Sequence, residues 1–133
     1  MVAIVREKVR FVETDAMGVV HHSNYFRWFE MGRVEFLRQA GITLTELIAE
    51  GIVFPITDVS CKYKASARFD DIILIETRPD EITAVKMVFN YRVVRESDGL
   101  LLAIGRTQNV FTNNNGKIVR LPEIYCAKLK AIE

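Results

Sequence analysis

Residues 25 to 39 place the tightest constraint on the fold. Tyr25, Phe26, Trp28, Phe29, Phe36 and Leu37 recur at helical spacing and form an apolar stripe too broad for a surface helix. Gly32 falls on the same face, where a missing side chain lets a sheet come close to the helix backbone. Arg27, Glu30 and Arg38 fall on the opposite face. Ser23 or Asn24 is placed to cap the helix at its start, and Gly41, which tolerates the left-handed conformation, to end it near Gln39. A helix this apolar must be covered, and the rest of the chain supplies sheet.

Ile4 to Phe11 reads as a first strand, with Val5, Val9 and Phe11 on one face and Arg6, Lys8 and Arg10 on the other. Thr43 or Thr45 to Glu50 reads as a short second helix stopped by Gly51. Val53 to Lys64, Ile72 to about Arg78, Lys86 to Arg95 and Leu100 to Thr112 are rich in β-branched and aromatic residues, as strands are. In one of them Met87, Phe89, Tyr91 and Val93 alternate with Lys86, Asn90 and Arg92. Asp98-Gly99 and Asn115-Gly116 are turn pairs. Ala103, Gly105 and Thr107 share a face whose small side chains leave room for a closely packed helix, and Pro122 opens a terminal helix from Glu123 to about Lys130. The order is strand, long helix, then four consecutive strands. It fits an α+β domain in which an antiparallel sheet wraps around one long central helix. No linker, repeat or low-complexity segment interrupts residues 1 to 133, so a single domain is expected.

Composition narrows the function classes. A chain of 133 residues can bury about two-thirds of its unfolded surface, and 50% hydrophobic with 26% charged residues is the mix of a packed domain. A net charge of +1 argues against a broad nucleic-acid-binding face, which needs a concentrated basic excess. The first residues carry charge too early for a signal-peptide core, and no apolar run reaches the roughly 20 residues of a membrane span, so a cytoplasmic protein is expected. Cys61 and Cys126 stand far apart without metal or redox spacing and read as free thiols.

The chemistry concentrates just ahead of the long helix. Glu13 to Tyr25 sets the carboxylate of Asp15 in a glycine-containing loop, close to a helix N-terminus whose unpaired backbone N–H groups can receive developing negative charge. A carboxylate is the base or nucleophile, and the peptide groups near His22 to Asn24 are the electrophilic side. That pairing points to acyl transfer or hydrolysis. His21 and His22 are expected to point in different directions, and no third ligand stands at metal spacing, so no metal site is expected.

The pattern Asp15-x-x-Gly18-Val19-Val20-x-x-x-x-Tyr25 resembles the signature of the 4-hydroxybenzoyl-CoA thioesterase branch of the hotdog-fold superfamily. The flanking Arg10 to Thr14 and Phe26 to Glu30 resemble the YbgC-like acyl-CoA thioesterases within it. Val59-Ser60-Cys61 and Ala67 to Ile72 match the family's second strand and the turn after it. Ser66 stands where many relatives have proline.

The resemblance implies a hotdog fold and hydrolysis of an acyl-CoA thioester, with no metal or redox cofactor and coenzyme A only as part of the substrate. Asp15 is then nucleophile or general base, Gly18 permits the turn that aims it, and the backbone N–H of His22 polarises the thioester carbonyl. Asn24 and Tyr25 match the motif at the substrate site. The phosphates of coenzyme A are expected to meet basic residues from Lys62, Lys64, Arg68, Lys86 and Arg92, with Arg68 favoured inside its matched motif. An aromatic hydroxybenzoyl- or dihydroxynaphthoyl-CoA hydrolase, an acyl-carrier-protein thioesterase, and a non-catalytic acyl or CoA binding module are the alternatives. A homo-oligomer is expected, a dimer or a tetramer made of two dimers, because a five-stranded curved sheet leaves edges open to a second copy.

Overall fold

The computed structural model describes residues 1–133 and sets the apolar stripe against one face of a five-stranded antiparallel sheet. The elements are β1 (Ala3–Lys8), a 3-10 turn at Phe11–Glu13, α1 (Asn24–Gln39), α2 (Leu44–Ala49), β2 (Ile56–Tyr63), β3 (Ile72–Ile82), β4 (Lys86–Arg95), β5 (Leu101–Val110) and α3 (Glu123–Ile132). The strands lie in the order β1-β3-β4-β5-β2, so β1 and β2 form the two edges. α1 is the longest helix and packs on β1, β3 and β4.

Two glycines permit that packing. A β-carbon on Gly32 would overlap the side chain of Thr77 on β3, and one on Gly105 of β5 would overlap the ring of Phe29. The Phe29 ring instead stacks on Tyr91 at 4.4 Å. Tyr25, Trp28, Phe29, Phe36 and Leu37 are all buried, as are Met87, Phe89, Tyr91 and Val93 on β4. The helix ends as its glycine predicts. Gly41 has φ +83°, and the Ile42 and Gly41 N–H groups close back on the carbonyls of Leu37 and Arg38, both at 2.9 Å. Thr43 caps α2 and Glu46 answers it in a reciprocal capping box.

Three expectations need correction. The first strand ends at Lys8 rather than Phe11, because beyond it the chain turns into Phe11–Glu13, and Phe11 is 74% exposed. β3 runs on to Ile82 through Pro79, where a register slip between Pro79 and Glu81 accommodates the missing donor. Neither Ser23 nor Asn24 caps α1 with its side chain, since both are engaged elsewhere.

The two edges differ. β1 alternates buried or half-buried with exposed positions beside α1, whereas β2 is exposed at every residue except the half-buried Cys61. Ile56, Val59 and Tyr63 put apolar surface on that open edge.

Candidate active site

An isolated bridge between Thr14 and Val20 closes the loop that carries Asp15. The Asp15 N–H donates to the Val19 carbonyl at 2.9 Å, and the Gly18 N–H donates to the Asp15 carbonyl at 3.0 Å. Gly18 has φ +78°, the left-handed conformation that glycine adopts without strain. The Asp15 Oδ1 accepts the Met17 N–H at 2.8 Å, which fixes the side chain in an aspartate turn and leaves Oδ2 without a partner in the chain. The half-exposed carboxylate lines a cavity of about 320 Å³ together with Met17, His22, Tyr25, Tyr63 and Lys64.

The helix start faces the same cavity. Three of its leading backbone N–H groups are used: His21 donates to the Glu13 carbonyl at 2.9 Å, Asn24 to the His21 carbonyl at 3.0 Å and Tyr25 to the His22 carbonyl at 3.3 Å. The Ser23 N–H donates to His21 Nδ1 at 3.3 Å. From His21 to Tyr25, the N–H of His22 alone has no acceptor. A free donor at the positive end of a 16-residue helix is chemically able to receive negative charge.

Asn24 serves this peptide group rather than the cavity. It is buried, and its Nδ2 donates to the carbonyls of Glu13 at 2.9 Å and His21 at 3.3 Å. The His21 carbonyl and the His22 N–H belong to one peptide plane, so holding the first aims the second. The imidazoles of His21 and His22 lie together, with centroids 4.2 Å apart, contrary to the expectation that they diverge. His21 Nδ1 and Ser23 Oγ, 2.8 Å apart, share a hydrogen bond, which diverts Ser23 from capping. No three His, Cys, Asp or Glu side chains cluster in a way that would hold a metal ion.

Glu13 is the residue that sequence reasoning missed. It is buried, and its carboxylate accepts the Arg10 N–H at 2.8 Å and the Trp28 indole N–H at 3.1 Å. Its carbonyl also receives His21 and Asn24, so Glu13 ties the loop to the helix through both backbone and side chain. The only sequence signal was its place beside the motif.

Tyr25 forms an inner wall, edge-on to Trp28 at 4.7 Å and to Tyr63 at 5.0 Å, and burial pushes its phenol pKa up. Burial likewise raises the Cys61 thiol, which makes it a poor nucleophile at neutral pH. Both cysteines are free and half-buried.

The cations separate into two groups. Lys64 lines the Asp15 cavity, and the Arg68 guanidinium lies 4.0 Å from where a β-carbon on Gly18 would sit. Neither makes an ion pair. Lys86 does not join them. It opens β4 opposite Val110, at the far end of the sheet, and pairs with Glu81 at 3.3 Å. Lys62 and Arg92 border a second cavity of about 300 Å³ on the sheet, where Arg92 is held by Glu76 at 3.0 Å. The turn that lacks proline at Ser66 is braced by Arg95, which donates to the Ser66 carbonyl at 2.9 Å and to Asp71 at 3.2 Å. The Val20 N–H then ties the signature loop to Ala67 at 2.8 Å.

Comparison with known proteins identifies the family. Residues 9–129 match the model of the thioesterase-like superfamily. The chain is 34% identical over 94 residues to the acyl-CoA thioester hydrolase YbgC of Escherichia coli, covering 71% of this chain and 70% of that protein. Its fold superposes on the hypothetical protein TT1821 from Thermus thermophilus with a TM-score of 0.92 at 37% identity, covering 98% and 99% of the two chains. It superposes on the DHNA-CoA thioesterase of Staphylococcus aureus with a TM-score of 0.90 at 27% identity, covering 98% and 92%. The chain therefore belongs to the thioesterase-like superfamily, in the YbgC-like branch of the 4-hydroxybenzoyl-CoA thioesterase family with the hotdog fold, and is a thioester hydrolase.

Proposed function

We propose that the protein hydrolyses acyl-CoA thioesters, releasing the free acid and coenzyme A, and that α1 is the central helix of its hotdog fold. The observation that carries this reading is the pairing of two unused groups on one cavity: the Asp15 Oδ2 and the backbone N–H of His22. With the thioester carbonyl oxygen on that N–H, Asp15 faces the carbonyl carbon. It then adds to the carbon itself, giving an acyl-aspartate anhydride that water opens, or it takes a proton from an attacking water. On either route the C–S bond breaks, the thiolate leaves and is protonated, and the helix end stabilises the tetrahedral oxyanion. No step calls for a metal or redox group.

Lys64 and Arg68, both unpaired beside the loop, are suited to the phosphates of coenzyme A. An aromatic acyl group is the second reading, favoured by the rings of Tyr25 and Tyr63 that wall the cavity. Steady-state turnover across short aliphatic, long aliphatic and aromatic acyl-CoAs tests both. Turnover of none would leave only a binding module, and kcat/KM highest for the aromatic thioesters selects the second reading.

The open edge of β2 is the place for a second copy, giving a dimer or two dimers paired again in the cytoplasm. Light scattering at assay concentration should show more than one chain per particle. A fully active species with the mass of a single 15.2 kDa chain would rule the assembly out as a requirement.

A further inference from the structure

A free peptide N–H stabilises an oxyanion well only if its direction is fixed before the charge appears. On one side of the His22 Cα the peptide plane is fixed by Asn24, whose backbone and side chain both hold the His21 carbonyl. On the other side stands the peptide of the His22 carbonyl. The Tyr25 N–H reaches that oxygen at 3.3 Å, a long bond, and the shorter one comes from outside the helix. The hydroxyl of Tyr63, the last residue of β2, donates to it at 3.1 Å across 41 residues of sequence. The Tyr63 ring is 45% exposed but rests edge-on against Tyr25 at 5.0 Å and His22 at 6.3 Å, contacts that direct the hydroxyl toward the His22 carbonyl.

We propose that Tyr63 is a positioning residue for thioester hydrolysis: by holding the His22 carbonyl from the sheet, it anchors the peptide on the far side of the His22 Cα and, with Asn24 on the near side, keeps the His22 N–H that receives the oxyanion from turning. The proposal rests on the reading of that N–H as the carbonyl-polarising group. Tyr63 acts through the peptide and does not itself transfer a proton. Partial burial pushes its phenol pKa up to about 12, so it remains a neutral donor across the neutral range. It also links the site to β2, the strand whose outer edge is unpaired, so anything that orders that edge also orders the oxyanion donor.

Tyr63→Phe removes the hydroxyl and keeps the ring. It should lower kcat about tenfold, less than the 10²–10³ lost when an oxyanion donor itself is removed, while KM stays within about twofold for every acyl-CoA that is turned over. Tyr63→Leu, measured beside it well below its own melting temperature, should lose at least as much, since it lacks the same hydroxyl. Asp15→Asn is run in the same assay. Wild-type kcat in Tyr63→Phe, with Asp15→Asn inactive, overturns the positioning role and leaves the proposed function standing. Wild-type kcat in Asp15→Asn overturns the proposed function itself. A Tyr63→Phe effect confined to KM, and varying with the acyl group, would also overturn the proposal, because it would mean that the hydroxyl contacts substrate.

Discussion

Glu13 and Asp15 are both carboxylates, two residues apart in one loop, and the structure gives them opposite fates. Glu13 is 5% exposed, and each of its oxygens is taken by a protein donor, the Arg10 N–H and the Trp28 indole. Asp15 is half-exposed, with one oxygen on the Met17 N–H and the other open to the cavity. A buried carboxylate with a protein donor on each oxygen is held in place and kept from attacking carbon. One that is held on a single side is aimed and still reactive. What separates the two carboxylates is therefore burial and the number of oxygens bonded within the chain, not residue type.

The largest effect should come from the free member. Asp15→Asn keeps the shape and the Met17 contact through its amide oxygen, but the amide is a much poorer base and nucleophile. A loss of kcat of about 10²-fold or more is expected, with the melting temperature unchanged. A well-folded Asp15→Asn enzyme with normal kcat would erase the distinction drawn between the two carboxylates.

Glu13→Gln should do the reverse. The amide oxygen can still accept one N–H, but its NH₂ then faces the other donor in a buried site, leaving two donors opposed. The expected cost is about 1–3 kcal/mol of stability, read by denaturant unfolding, with kcat falling far less than in Asp15→Asn. A variant as stable as the parent but inactive would move Glu13 from scaffold to chemistry.

The contrast also marks how far the sequence could be read. Local rules located the helix, the alternation of Met87 to Val93, the glycine turns, and the close contacts at Gly32 and Gly105, because each depends on spacing or on backbone freedom that a short window contains. The Asp15 loop was legible from its motif. The contacts of Glu13 and Tyr63 were not, because their partners lie 15 and 41 residues away, beyond any local window. Asn24 was misplaced for a related reason. Its amide could serve a substrate or a carbonyl, and the two carbonyls that claim it are brought together by the turn at Phe11–Glu13. That turn also ended the first strand early, since an apolar residue such as Phe11 fits a strand pattern whether or not a neighbour is there to pair with it.

The same test of free against occupied groups extends to the cations and predicts the smallest changes. Arg68 is exposed, unpaired and beside Gly18, whereas Lys86 is tied to Glu81 at the opposite end of the sheet. Phosphates far from the thioester bind the ground and transition states alike, so Arg68→Ala should raise KM for acyl-CoA about fivefold and leave kcat nearly unchanged. With acyl-pantetheine substrates, which lack the nucleotide phosphates, the same variant should behave like the parent. Lys86→Ala removes only an exposed ion pair, worth about 0–1 kcal/mol, and should leave KM for either substrate where it was. The informative failure is a rise of KM in Lys86→Ala with acyl-CoA alone. A lysine at the far end of its own sheet could act on the phosphates only if a neighbouring copy carried it to the mouth of the Asp15 cavity. Measuring both variants on both substrates thus asks whether the ligand's charge is met by one chain or by two.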